Sequence, residues 1–224
     1  MKICTLGKCK LCVYSYSQLT TQIINGRAPR TCYNTKTMHI GILGSSFNPP
    51  HLGHELMYRQ VLDFTNIEKI WLLPVFKHTF TKELAPVDER LAMSRLLENQ
   101  QIEVSTLEIE HKLSGNTIEI IPYLHKNHAG DHFTFIIGSD QLPDFHKWGR
   151  WQELLTQIPF LVVPRAGFPT KPLYKGMTVL THPLLVTSNI SSTIVRNRIK
   201  LDLPIDGLVN KKVADYIQKH KLYE

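Results

Sequence analysis

The sequence predicts an α/β protein, a doubly wound and mainly parallel sheet with helices on both faces. Two observations predict it. Short apolar runs recur along the chain, and two of them, HIGILG and HFTFIIG, end in glycine as buried strands do. Segments with apolar residues at helical spacing alternate with those runs, and strands that alternate with helices build a parallel sheet covered on both sides.

The elements follow in order from Met38. HIGILG is the first strand. Residues 51–64 place Leu52, Leu56, Val61 and Leu62 near one face of a helix. EKIWLLPV, 68–75, is a second strand that ends at Pro74, and a polar loop runs on to Pro86. Residues 87–99 form a helix with Leu91, Met93, Leu96 and Leu97 apolar. QIEVSTLEI, 101–109, alternates and reads as a strand. A helix after Ser114 carries Ile118, Ile120, Ile121 and Leu124, with Pro122 arguing against a straight one. HFTFIIGSD, 132–140, is the clearest buried strand, and PFLVVPR, 159–165, is another. ISSTIVRNRI, 190–199, and VNKKVADYIQKH, 209–220, close the chain as helices. In such a sheet ligands bind beyond the carboxyl ends of the strands where strand order reverses, so the ends at Gly44 and Gly138 are expected to line one crevice.

Composition narrows the class. At 42% hydrophobic and 20% charged residues the chain is globular, and its longest apolar runs are far too short to span a bilayer. The formal charge of +7 suggests nucleic acid until its distribution is read. Residues 1–38 hold six basic side chains and no acidic one, which leaves 20 basic and 19 acidic in the rest. The body is close to neutral, so no nucleic-acid partner and no membrane are expected. All four cysteines (Cys4, Cys9, Cys12 and Cys32) lie in the same leading segment. Their spacing lacks the paired knuckles of common zinc folds, and no uninterrupted apolar stretch makes the segment a signal peptide. Residues 1–37 are therefore expected to be a disordered or dispensable extension, and 38–224 the functional domain, cytoplasmic and compatible with a homo-oligomer.

Two clusters carry chemistry. In IGILGSSFNPPHLGH, Gly44, Ser45, Ser46 and Phe47 form a turn before a helix start, where free N–H groups make an anion site. His51 and His54, three apart, share one face of the first turn and can donate to phosphate oxygens. The plainer reading is a surface loop with two solvated histidines. In ISSTIVRNRI, Ser191, Ser192 and Thr193 stand at a helix start and Arg196 one turn on, again an anion cradle. Its plainer reading is a capped amphipathic helix.

Together the clusters resemble the (H/T)xGH and ISSTxxR signatures of the nucleotidyltransferase superfamily, most closely the nicotinate- or nicotinamide-mononucleotide adenylyltransferases. Gly44 through His54 meet the first signature, with Ser45 and Asn48 where many bacterial members have Gly and Asp. Ile136, Ile137, Gly138 and Asp140 meet IIGxD, and Trp148 meets the family's tryptophan eight residues on, although Gly149 replaces the aromatic that often follows. Ser114, Asn116 and Thr117 loosely meet the segment that seats the pyridine ring, and Lys77, His78 and Lys82 fall in the family's basic loop. The likeness runs over residues 38–224.

The resemblance implies a Rossmann-like fold and an in-line reaction. The 5′-phosphate of a pyridine mononucleotide attacks the α-phosphorus of ATP, and pyrophosphate leaves. No protein nucleophile is required, which suits a body without cysteine. By the same resemblance His51, His54 and Arg196 are catalytic. Gly44, Ser45, Ser46, Phe47, Ser191, Ser192 and Thr193 bind ATP. Asp140, Trp148, Thr117 and Lys82 bind the mononucleotide. Mg2+ is the expected cofactor, held by ATP phosphates rather than by protein ligands. Asp140 as a turn former and Trp148 as a core residue stay open beside these roles. Nicotinate mononucleotide is the expected acceptor, with nicotinamide mononucleotide or another phosphorylated acceptor such as phosphopantetheine as alternatives. A non-catalytic nucleotide- or RNA-binding module is the alternative of a different class.

Overall fold

The computed structural model describes residues 37–77 and 84–224. The expected extension, Thr37 apart, lies outside them together with its four cysteines, and so do His78 and Lys82. Met38–Glu224 form one unit.

Its centre is a six-stranded sheet: β1 (His39–Ser45), β2 (Lys69–Pro74), β3 (Ile102–Val104), β4 (His132–Gly138), β5 (Phe160–Val163) and β6 (Met177–Val179). They stand in the order β3-β2-β1-β4-β5-β6, every pair parallel. Among the described residues seven α-helices accompany them: α1 (Leu52–Phe64), α2 (Val87–Arg95), α3 (Leu107–Glu110), α4 (Ile121–Asn127), α5 (Trp151–Gln157), α6 (Ser192–Lys200) and α7 (Lys211–His220). Two 3₁₀ segments cover Thr117–Ile120 and Ser139–Lys147.

Helices cover both faces because the central strands are apolar on both. Successive side chains of a strand point to opposite sides. Leu43, Ile70, Leu72, Ile136 and Leu161 join one core with Met57 and Val61 of α1, Met93 of α2, Val195 of α6, and Val213 and Ile217 of α7. Ile40, Ile42, Trp71, Leu73, Phe135, Ile137 and Phe160 join the other with Ile118, Leu124 and Leu154. Each fully buried side chain of this size contributes about 1.5 to 3 kcal/mol. The predicted α/β architecture is therefore present. Strand order reverses between β1 and β4, which places the expected crevice at their carboxyl ends.

Several elements differ from the sequence reading. The buried stripe of α1 is His54, Met57, Tyr58 and Val61, while Leu52, Leu56 and Leu62 are half-buried. The spacing of that stripe is helical, but its phase is set by the site histidine. The predicted strand 101–109 stops at Val104. Ser105 N–H still bonds the Leu72 carbonyl at 2.9 Å, and then the Thr106 carbonyl accepts from Ile109 and Glu110 and closes a helical turn. The predicted helix 87–99 ends as α-helix at Arg95, and its inner face carries Arg90 and Ser94 beside Met93. Pro122 falls in the first turn of α4, where a missing N–H costs nothing. β6 and α5 had no counterpart in the sequence reading.

Candidate active site

The turn between β1 and α1 is held from three sides. Phe47 takes φ +46°, a conformation that costs a bulky residue about 1 to 3 kcal/mol. Complete burial of its ring, 4.9 Å from that of His54, offsets the cost. Arg90, itself 1% exposed, donates to the carbonyls of Ser46 and Val75 at 2.9 Å and of Ala85 at 3.1 Å. Ser192 Oγ donates to the Pro49 carbonyl at 2.8 Å, and Arg196 Nη1 to the Asn48 carbonyl at 2.7 Å. Gly44 serves a purpose the sequence did not suggest. It lies within β1, and a Cβ there would stand 2.7 Å from Phe135 Cζ of β4, so its role is to admit that ring. Left-handed backbone in the turn falls on Phe47 instead.

His51 stands at the N-cap of α1 and His54 in its first turn. They are 4% and 8% exposed, so the solvated-loop reading fails for both. Their rings stack with centroids 3.8 Å apart. The His51 backbone N–H donates to His54 Nδ1 at 3.3 Å, which leaves the proton of a neutral His54 on Nε2, 3.1 Å from Ser45 Oγ. A Cβ on Gly53 would come within 2.9 Å of both the His51 ring and the Ile190 carbonyl, so only glycine lets the ring lie there. Burial lowers His51 to about 3, helped by the Arg165 charge. Burial also holds His54 well below the ordinary histidine range, with His51 and Arg165 acting in the same direction. Both imidazoles are neutral donors near pH 7. An anion in the crevice shifts both toward the charged form. Among the described residues His51 Nδ1 is buried without a partner.

Across the reversal point, β4 delivers Asp140 and the end of β5 delivers Arg165. Arg165 Nη1 donates to Asp140 Oδ2 at 2.8 Å and Nη2 to the Ile190 carbonyl at 2.6 Å. Ser139 Oγ accepts from the Arg165 N–H at 3.0 Å and donates to the Phe168 carbonyl at 3.1 Å. Asp140 Oδ1 is buried with no partner among the described residues, packed where a Cβ at Gly138 would stand 2.2 Å away.

The third wall is aromatic and acidic. Trp148 is half-buried; it meets Phe135 and Phe160 edge-on in the core and also lines the crevice. Gly149 packs on Asn116, whose Oδ1 would lie 2.5 Å from a Cβ there. That contact couples the Trp148 turn to Thr117, which also lines the crevice. Glu108 of α3 faces the same space, 2% exposed, its carboxyl raised to about 7 by burial. Phe76 N–H donates to it at 3.3 Å. Lys77 lines the mouth, and Lys82 lies outside the described residues.

One crevice thus brings together Gly44, Ser45, Ser46, His51, His54, Thr117, Asp140, Trp148, Ser191, Ser192 and Thr193. Phe47 supports it from the core. Arg196 is placed differently. Its guanidinium is engaged by the Asn48 carbonyl and, at 3.4 Å, by Thr193 Oγ1, and it is not among the described lining residues. The sequence reading missed Arg165, Glu108 and Arg90. Arg165 ends a segment read only as a strand, Glu108 sat in an alternation read as strand, and Arg90 lay on a helix weighed for its leucines.

Residues 42–198 match the cytidylyltransferase-like family. The nicotinate-nucleotide adenylyltransferase of Bacillus subtilis is 32% identical over 193 residues, covering 83% of this chain and 98% of that protein. The chain belongs to the nicotinate-nucleotide adenylyltransferase family. The fold of that family is visible directly in solved structures. The Plasmodium falciparum nicotinic acid mononucleotide adenylyltransferase complexed with NaAD superposes with a TM-score of 0.71 at 22% identity, over 83% of this chain and 97% of that one. The same parasite protein complexed with APC gives 0.69 over the same shares. Among the described residues no helix is long and apolar enough to cross a membrane.

Proposed function

We propose that this adenylyltransferase joins ATP and nicotinate mononucleotide into deamido-NAD and pyrophosphate. Family membership supports the reaction class. The observation that carries the site is the convergence of two helix starts on one crevice, α1 with His51 and His54 and α6 with Ser191 to Thr193. The positive end of each helix dipole favours an anion there, although at α1 the Leu52 N–H is already taken by the Leu208 carbonyl at 2.9 Å.

An oxygen of the acceptor's 5′-phosphate forms a bond to the α-phosphorus of ATP as the bond to the β-phosphate oxygen breaks, and the electron pair leaves with pyrophosphate. The protein supplies position and charge neutralisation. His54, its Nε2–H set by the bond from His51 N–H to Nδ1, and His51 donate to the transferring phosphates. Ser191 and Thr193 at the α6 start receive the departing end. Arg196, held by the Asn48 carbonyl and beside Thr193, adds positive charge at that end. Asp140 accepts from a sugar hydroxyl. Trp148 stacks on the pyridine, and Thr117 lies beside its substituent.

Among the described residues no group of three or more His, Cys, Asp or Glu is gathered to hold a metal. Mg2+ keeps its waters and takes most other ligands from phosphates, so ATP itself would make most of its site. Asp140, which lines the crevice, would face one of those waters. When bound, Mg2+ neutralises phosphate charge.

The test is product analysis with ATP, Mg2+ and nicotinate mononucleotide. Deamido-NAD and pyrophosphate should appear in equal amounts and only with both substrates present. Pyrophosphate without a dinucleotide would contradict the proposal.

A further inference from the structure

Beyond α7 the chain does not run off into solvent. Lys221 takes φ +50°, and Leu222 N–H bonds the Ile217 carbonyl at 3.1 Å, a left-handed turn of the kind that ends helices. That turn sends Leu222 and Tyr223 back against the core shared by α1, α2 and α7. There the Tyr223 hydroxyl donates to Asn48 Oδ1 at 2.9 Å. Ala85 N–H donates to the same oxygen at 3.1 Å. Asn48 is 1% exposed, and its backbone carbonyl takes the Arg196 guanidinium.

We propose that Tyr223 is a positioning residue for adenylyl transfer, acting through Asn48 on the turn that leads into His51 and His54. The proposal rests on the function proposed above. Asn48 is where three distant parts of the chain meet the turn: the segment before α2 through Ala85, α6 through Arg196, and the segment after α7 through Tyr223. The neighbouring Phe47 is held at φ +46°, and such a conformation persists only where surrounding contacts over-determine it. His51 follows Asn48 by three residues, so slack in the turn reaches the imidazoles and the N-terminal amides of α1 directly. Burial raises the Tyr223 phenol, against the opposing charges of Arg196 and Arg90, so it remains a donor throughout the working pH range. The role belongs to a segment far from the crevice in sequence and outside its lining.

Tyr223→Phe removes one hydroxyl and keeps the ring in place. A misplacement near 1 Å costs reaction rate on the order of a hundredfold, and loosening one of several ties should cost about tenfold in kcat. KM for the mononucleotide should stay within about twofold, because the acceptor wall is untouched. In an Asn48→Ala background the same substitution should cost less than about twofold, since its partner is already gone. Wild-type kcat in Tyr223→Phe, or an undiminished loss in the Asn48→Ala background, would overturn the proposal. Amide hydrogen exchange over residues 46–54 of the free protein separates this from the proposed function. If the wild type forms no dinucleotide, the adenylyl-transfer reading falls by itself. Tyr223 is then judged on exchange alone, where faster exchange in Tyr223→Phe supports the tie and unchanged exchange removes it.

Discussion

Arg165 and Asp140 form an ion pair of 2.8 Å at the carboxyl ends of neighbouring strands, with side chains 16% and 25% exposed. The same guanidinium holds the Ile190 carbonyl, so one side chain ties the ends of β4 and β5 to the approach to α6. Its charge also adds to burial, the larger cause, in holding His51 and His54 below the ordinary histidine range.

Arg165→Met should therefore damage the reaction in two separable ways. The loss of Asp140 and Ile190 positioning should lower kcat/KM by roughly a hundredfold. The loss of the charge should raise both histidine pKa values and move the acidic limb of the pH–rate profile upward. Arg165→Lys should keep the limb near its wild-type position while still losing rate, because lysine cannot reproduce the forked contact. A profile that does not move in Arg165→Met would mean that the charge at 165 has no bearing on the histidines.

Stability should carry the signature of His51. The unfolded chain takes up its proton below about 6.5, whereas the folded protein resists until about 3. The contribution is fully present above pH 6.5 and is lost as pH falls toward 3, about 2 kcal/mol of it between pH 7 and pH 5. His54 acts in the same direction. Glu108 opposes them. Its folded carboxyl is raised to about 7, so its share is present below the ordinary carboxylate range and lost as pH rises through 7. Urea unfolding of wild type and His51→Asn at the two pH values isolates the histidine. The variant should lose about 2 kcal/mol less on acidification, and an identical loss in both proteins would refute the assignment.

Glu108 should govern how the acceptor binds above neutrality. Burial is the main cause of its raised carboxyl. Glu119 adds to the shift, while the Phe76 N–H and Arg90 oppose it. Below pH 7 the neutral acid tolerates an anionic mononucleotide, and above it the ionised group repels one. KM for the mononucleotide should rise about three- to tenfold from pH 6.5 to 8 in wild type, a cost on the order of 1 kcal/mol. Glu108→Gln should flatten that rise with kcat little changed. The same rise in both proteins would show that Glu108 does not face the acceptor.

What was legible beforehand follows from how local the signals are. β1 and β4 were readable because each is a short apolar run closed by glycine, and the starts of α1 and α6 because histidines, serines and threonine mark them within a few residues. That the ends of β1 and β4 line one crevice followed from α/β topology, and that the α6 start joins them followed from the family resemblance. The phase of α1 was not readable. Its leucines suggested one face, and the buried histidine chose another. Three-residue β6 is too short to show a period. Arg90, Glu108 and Arg165 stayed hidden because a charged residue on an apolar element reads as its solvent edge, and only the fold reveals what surrounds it. Asn48 could not be linked to Tyr223 from the sequence, since the contact spans 175 residues.

The acceptor is the centre of this account. The stacking proposed for Trp148 would serve nicotinate and nicotinamide alike, so preference must arise at the ring substituent. A carboxylate accepts from several N–H donors at once, and charge-assisted bonds are roughly twice as strong as neutral ones. A carboxamide turns its own NH2 toward the same donors and leaves one unsatisfied, at about 1 to 3 kcal/mol. The most direct measurement is kcat/KM for the two mononucleotides in one buffer at one Mg2+ concentration. Nicotinate mononucleotide should be preferred by about tenfold or more. Equal values, or a higher value for the nicotinamide form, would contradict it.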